Sequence, residues 1–256
     1  MKALRFINIL ALVLLLVANS LASVTDVIGG QLTAEVSDSN PTLFTPAGYV
    51  FSIWSIIYIG LIAFAVYQAR SSKGAARVRE RIGPWFVINA ILNVAWLFAW
   101  GYEVLWLSVL IMLGLLASLI VIYERLQIGR IPEEAPDAGK AATWSVRVPM
   151  SIYTGWISVA TIANIAVLLA STGWDGGALG PRFWTVLVLL AGTVLGLAAT
   201  FLRRDLAFAL VVVWAFVGIA VARPQESLVA AAAIVGALLV AIGIGAKVTG
   251  WEPKPL

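Results

Sequence analysis

Long apolar runs alternate with short polar stretches along the whole chain, and the runs have the length of membrane-crossing helices. About 20 apolar residues span a bilayer core as an α-helix. The pattern predicts eight such spans, near residues 5–23, 48–69, 84–102, 104–123, 148–170, 183–202, 206–222 and 227–246. In hydrocarbon the backbone must satisfy its own polar groups, which favours helices over open strands. The predicted fold is therefore an all-α polytopic membrane bundle. The longest polar stretch, about 124–147, reads as a loop, and no segment is polar enough to form a separate soluble domain.

Composition sharpens this picture. Of 256 residues, 61% are hydrophobic and 12% charged, and the mean hydropathy of +0.98 is that of a membrane protein. The basic residues sit in short loops: Arg70, Lys73, Arg77, Arg79 and Arg81 after the second span, Arg203 and Arg204 after the sixth. The first loop carries Asp26, Glu35 and Asp38 and no Lys or Arg. The positive-inside rule places both termini in the cytoplasm, in a bacterial cell membrane on this reading. The sequence pI near 9.6 therefore reports membrane orientation and does not point to nucleic acid. The first span has a rival reading, because Lys2, Arg5 and an apolar run ending before Ser20-Leu21-Ala22 also resemble a cleavable signal peptide. Cleavage would leave seven spans. The first external loop, rich in Gly, Ser, Thr and Asp, is either a lid over a site or a solvated linker.

The chain holds no cysteine and no histidine. That excludes disulfides, thiol catalysis, Cys/His metal sites and the usual His or Cys ligand of a haem iron. Mid-span carboxylate pairs, as a proton relay needs, are absent from the sequence. No enzyme chemistry is expected.

What the sequence does carry is a set of amides and aromatics at helical spacing. On the third span Asn89, Asn93, Trp96 and Trp100 form one stripe. On the fifth, Tyr153 and then Trp156, Ala160 and Asn164 form another, and on the second Trp54 and Tyr58 are four apart. An amide in hydrocarbon is costly without a partner. Indoles offer a flat apolar face and one N–H donor, and an asparagine offers donor and acceptor. Such stripes either line a cleft for a flat, mostly apolar ligand or tie helices together. Trp85, Trp106, Trp144, Trp174, Trp184 and Trp251, near span ends, read as interfacial belt residues.

These residues resemble the TspO/MBR family of tryptophan-rich sensory proteins and the mitochondrial translocator protein (the peripheral benzodiazepine receptor). Thr45-Pro46-Ala47-Gly48-Tyr49-Val50-Phe51 followed by Trp54 and Tyr58 is similar to the start of that family's second helix. Asn93-Val94-Ala95-Trp96 resembles its third-helix Asn-x-x-Trp, and Asn89 falls where a Gln is frequent. Tyr153, Trp156, Ala160 and Asn164 match its fifth-helix spacing. The chain departs from the family pattern in lacking the proline after the third-helix Trp and the one just before Tyr153. The resemblance covers about residues 1–170. It implies a five-helix core, here residues 1–175, with residues 176–256 adding three helices and a short tail. It also implies a pocket under the first long loop, lined by Trp54, Tyr58, Asn93, Trp96, Trp156, Ala160 and Asn164, for a porphyrin or a sterol-like molecule. Some relatives promote light-dependent porphyrin breakdown.

The last three spans are aliphatic. Gly192 and Gly196 form a GxxxG, and Ala237, Ala241 and Gly245 step by four. Both patterns permit close helix contact, within the chain or in a homodimer. Three functions stand on the sequence: a sensory or binding protein for a flat hydrophobic ligand, a small-solute permease, and a structural membrane protein. The permease reading lacks an internal repeat or paired broken helices.

Overall fold

The spans fold as helices because nearly every residue in them is apolar, and the polar punctuation between them sets where each one stops. A computed structural model describes residues 2–130 and 139–250, except for the side chain of Lys2. Trp251 and most of the acidic part of the loop near 124–147 lie outside the described residues. All regular structure among the described residues is helical. The helices are α1 (Lys2–Val24), α2 (Thr33–Ser39), α3 (Ile53–Ala69), α4 (Lys73–Ile82), α5 (Trp85–Gly101), α6 (Leu105–Arg125), α7 (Lys140–Ala142), α8 (Val148–Ser171), α9 (Gly180–Leu202), α10 (Leu206–Ala222) and α11 (Ser227–Val248).

Six of these helical stretches are long and apolar enough to cross a membrane, and α4 with α5, bent by 57°, makes a seventh. The expected seventh span, α10, has 17 residues, fewer than any of those stretches. At about 1.5 Å per residue that is roughly 26 Å, short of a bilayer core of about 30 Å. The fifth span also begins earlier than expected. Its helix runs Lys140–Ser171 through one π-helical turn at Thr143–Arg147, and Pro149 follows directly after that turn, at the start of α8.

Packing arranges the helices in two groups. Helix α1 lies against α5 and α3, α5 against α6, α6 against α8, and α8 against α3, which closes a five-membered ring. Helices α9, α10 and α11 pack on one another, and α10 docks on α8. Glycines permit the closest approaches. A Cβ on Gly60 would sit 2.8 Å from the Pro149 Cβ across the α3–α8 contact. The Gly192/Gly196 pair faces Phe216, Val240 and Val212 inside the α9–α10–α11 group, so this GxxxG is used within the chain. Ala241 and Gly245 of the second small-residue stripe are exposed.

The first long loop is a packed cap. Ile28, Val36 and Phe44 are buried. Gln31 donates to the Gly101 carbonyl and to Glu103, Ala47 N–H donates to the Gly218 carbonyl, and Gly29 (φ +82°) passes so close to Gly101 that a Cβ there would overlap its carbonyl. At the other end, the basic stretch after the second span is not a plain loop. It forms amphipathic α4, capped by the Ser72 hydroxyl, which accepts from Ala75 N–H at 3.2 Å, and it buries Ala75, Val78 and Ile82. The Arg79 guanidinium donates to the carbonyls of Gln68 and Arg70, so it finishes the C-terminus of α3, where a cation is favoured. Buried Asp205 caps α10 by accepting from Phe208 N–H at 3.1 Å, and takes hydrogen bonds from Tyr123 (2.7 Å) and Ser151 (2.5 Å). One carboxylate thereby joins the ring to the C-terminal group.

Candidate functional site: an amide network and an aromatic recess

The expected stripes come together, but they divide into two kinds of environment. The amides of α5 and α8 are buried and mostly bonded to side chains of neighbouring helices. Asn93 Nδ2 donates to Tyr153 OH at 3.0 Å and Asn93 Oδ1 accepts from Asn19 Nδ2 at 2.7 Å. Asn19 Oδ1 accepts in turn from Tyr58 OH at 2.9 Å. This chain of bonds links α1, α3, α5 and α8. Further along α5, Asn89 Nδ2 donates to Ser118 Oγ at 2.9 Å. Trp96 Nε1 donates to Asn164 Oδ1 at 2.9 Å, and Asn164 Nδ2 donates to Ser108 Oγ at 2.9 Å. Trp100 Nε1 reaches the Thr33 carbonyl at 3.0 Å and holds α2 of the cap, its ring stacked on Trp96 with centroids 5.4 Å apart. Asn89, Asn93, Trp96, Trp100 and Asn164 thus act on neighbouring helices, each with a cross-element partner.

The second environment is aromatic. Trp54 stacks on Tyr58 (5.6 Å between centroids, 24°) and meets Tyr153 and Trp156 edge-on at 6.0 and 6.3 Å. Phe51, in the 3-10 turn Gly48–Ser52 that leads into α3, meets Trp156 edge-on at 5.7 Å. Phe51 is exposed, Trp54, Tyr58 and Ala160 are half-buried, and Trp156 is 2% exposed. These rings pack against one another as an aromatic recess between α3 and α8, exposed at Phe51 and half-buried at Trp54 and Tyr58. Its floor holds an unmet donor: Trp156 Nε1 is buried with no hydrogen-bond partner among the described residues. A buried donor left unpaired costs about 1–3 kcal/mol, and Tyr and Trp normally find a partner when buried.

Two contributors were not foreseen. Asn19 is the node between Tyr58 and Asn93, yet it sits at the tail of a run that also reads as a signal peptide. The only signal was one asparagine in register with an apolar face. Asp205 was not singled out either, because a lone acid at a span end reads as solvated. A cavity of about 730 Å³ also lies away from the recess, at the C-terminal end of α8 and the N-terminal end of α9. Trp174 and Trp184, expected as belt residues, line it while staying exposed, as Trp106 and Trp144 are.

The bundle, its membrane-length helices and its tryptophan-lined interior define an integral membrane protein with a buried amide network and an aromatic recess. A family model described as TSPO-like protein matches residues 5–246. The chain belongs to this TSPO-like family, in agreement with the resemblance to TspO/MBR proteins, and the match runs through the last three helices as well as the ring. Comparison with curated proteins and with solved structures gave no significant match. Family membership carries a general reading of the chain as a membrane sensory or binding protein.

Proposed function

We propose that the protein binds a flat, hydrophobic, porphyrin-like ligand in the aromatic recess between α3 and α8, and acts as a membrane sensor or carrier of that ligand without transforming it. The observation that carries this reading is the unpaired Trp156 N–H at the floor of a recess built from Phe51, Trp54, Tyr58 and Tyr153. A planar apolar ring stacks on indole faces, and an acceptor at its edge takes the Trp156 hydrogen and removes the cost of leaving it unmet. Half-buried Ala160, one turn beyond Trp156 on α8, leaves room beside the indole. The amide network holds these helices in register. The asymmetry of loop charge supports a cell-membrane placement with both termini cytoplasmic, which puts the capping loop and the mouth of the recess toward the outer face.

The test is a titration of the detergent-purified protein with protoporphyrin IX, read by quenching of tryptophan fluorescence, beside a Trp156→Phe variant whose melting temperature shows it folded. Saturable micromolar binding that the variant weakens about tenfold or more is the expected result, from loss of one buried hydrogen bond and part of a stacking face. Equal binding by both proteins, or none by either, overturns the assignment and leaves the permease reading to be tested by liposome uptake.

A further inference from the structure

The cavity of about 730 Å³ is separate from the aromatic recess and is built where α8 of the ring meets α9, the cap and the α10–α11 connection. Its apolar walls come from Ile162, Ile165 and Leu169 of α8, Trp184 and Val188 of α9, and Phe44 of the cap. These α8 positions lie on a different helix face from Trp156, Ala160 and Asn164. Its volume falls in the range of pockets that enclose drug-sized ligands, about 300–1,000 Å³. One end is polar and is formed by Thr42, Asp175 and the α10–α11 connection from Arg223 to Glu226.

The charges at that end are unevenly matched. The Glu226 carboxylate is occupied by a two-pronged bond from Arg182, at 2.6 and 3.2 Å. Asp175 is exposed and accepts from Gly177 N–H at 2.9 Å. Half-buried Arg223, in contrast, donates only to backbone carbonyls: Nε and Nη2 to Thr42 at 3.2 and 2.5 Å, and Nη1 to Ala222 at 3.1 Å. Those neutral partners fix the guanidinium in place, and the nearby Glu226 carboxylate, which feels the Arg223 charge, spends its direct bonds on Arg182. A guanidinium carries five N–H donors, so Arg223 keeps donors to spare beside an apolar chamber. Water screens exposed Asp175 more than half-buried Arg223, so the chamber favours an anion at this end. The Trp174 and Trp184 rings, 5.9 Å apart, stand at the rim, and Trp184 is fixed by its bond to the Gly176 carbonyl at 3.0 Å.

We infer that this chamber is a second ligand site, for an amphiphile with a long apolar body and a single anionic head (a carboxylate or a phosphate) seated on Arg223. The apolar body lies against α8 and α9. The head engages the loop between α10 and α11 and, through Arg223, the Thr42 backbone of the cap. Occupancy therefore couples the cap that also closes over the ring to the C-terminal helices. This inference goes beyond the porphyrin reading and does not depend on it.

Equilibrium dialysis of the full chain in a neutral detergent, with radiolabelled palmitate, hexadecyl phosphate and hexadecanol as probes, tests it. The two anionic probes are expected to saturate at least about tenfold more tightly than the alcohol, the difference expected for a charge-assisted over a neutral hydrogen bond. A preference between palmitate and the phosphate distinguishes a free fatty acid from a phospholipid-type head. Arg223→Gln should remove the anion preference. Val188→Trp fills the chamber from the wall opposite the Arg223 anchor and should abolish binding of all three; if that variant does not fold, Ala166→Phe reaches the same volume from α8. Equal affinity of the three probes for the wild type, or undiminished palmitate binding by the folded filling variant, overturns the proposal. Protoporphyrin titration reads the α3–α8 recess and dialysis reads this chamber, so failure of one assignment is distinguishable from failure of the other.

Discussion

The Asn93–Tyr153 bond offers the sharpest test of whether the amides are helix ties. Asn93→Leu keeps an apolar side chain of similar bulk and removes two cross-helix bonds, to Asn19 and to Tyr153. The partners do not suffer equally. Asn19 Nδ2 retains the Leu15 carbonyl at 2.8 Å, so that donor stays satisfied, whereas the Tyr153 hydroxyl, on a residue 1% exposed, loses the amide that donates to it. Inter-helix hydrogen bonds in membranes average about 0.6 kcal/mol with a maximum of about 1.7, so two of them predict a loss of about 1–3 kcal/mol. Tyr153→Phe removes the same bond from the other side. The double variant should then recover about 0.6–1.7 kcal/mol relative to the sum of the singles. Reversible unfolding of the detergent-solubilised protein, followed by tryptophan emission, measures all four corners of the cycle. A coupling below about 0.3 kcal/mol, within the ordinary error of additivity, would refute the claim that this bond ties α5 to α8. Retained affinity for porphyrin in Asn93→Leu would agree with a role in holding the helices rather than in touching ligand.

Three further outcomes follow from the packing. Gly60→Ala drives a methyl to 2.8 Å from the Pro149 Cβ, and since a proline ring cannot rotate away, a loss of about 1–3 kcal/mol is expected in the same unfolding assay. Asp205→Ala removes an N-cap worth about 0.5–2 kcal/mol together with the Tyr123 and Ser151 bonds, and limited proteolysis should show the C-terminal helices released before the ring. Arg182 donates to the Glu226 carboxylate and holds that carboxyl below its ordinary value of 4.5. A depressed folded value means the tether is at full strength above 4.5 and lost as pH falls through the lower folded value. The difference in melting temperature between wild type and Glu226→Gln should therefore be constant from neutral pH down to about pH 5 and vanish only below 4.5; a difference already gone at pH 6 would contradict the pair.

How far the chain could be read in advance depended on the range of the interaction. The long spans were legible because each carries its own signal, a run of apolar residues the length of a bilayer. Span α10 is the short one: its run is as apolar as the others, and the break at Arg203–Asp205 and the turn after Ala222 hold it to 17 residues. Helix α4 was less legible. Its basic residues drew attention to membrane orientation, while the apolar set Ala75, Val78 and Ile82, spaced three and four apart, buries one face. The stripe on α5 was visible, but spacing does not say whom an amide meets. Asn164 was expected beside Trp156 as a ligand contact, and its oxygen takes the Trp96 hydrogen, a partner that spacing along α8 does not name. Residues separated by 60 to 74 positions supply the partners of Asn93, and only the closed ring of helices brings them within bonding distance.

That distinction separates tie from site. Within hydrocarbon an unpaired polar side chain is costly; Asn8 and the Asn89 and Gln68 side-chain oxygens are also unpaired, and what sets Trp156 apart is its place among the aromatic rings of α3 and α8. Asn93, Asn164, Trp96 and Trp100 are matched across helices. Trp156 lies on the same ring of helices, is as deeply buried, and has no partner for its indole hydrogen among the described residues. Since rotation of the indole is restrained by Phe51, Trp54 and their edge-on contacts at 5.7 and 6.3 Å, the donor cannot turn aside to a backbone carbonyl without breaking those contacts. The aromatic packing that creates the recess is thus the same packing that keeps its donor unmet, and a ligand carrying an acceptor at the edge of an apolar plane satisfies both.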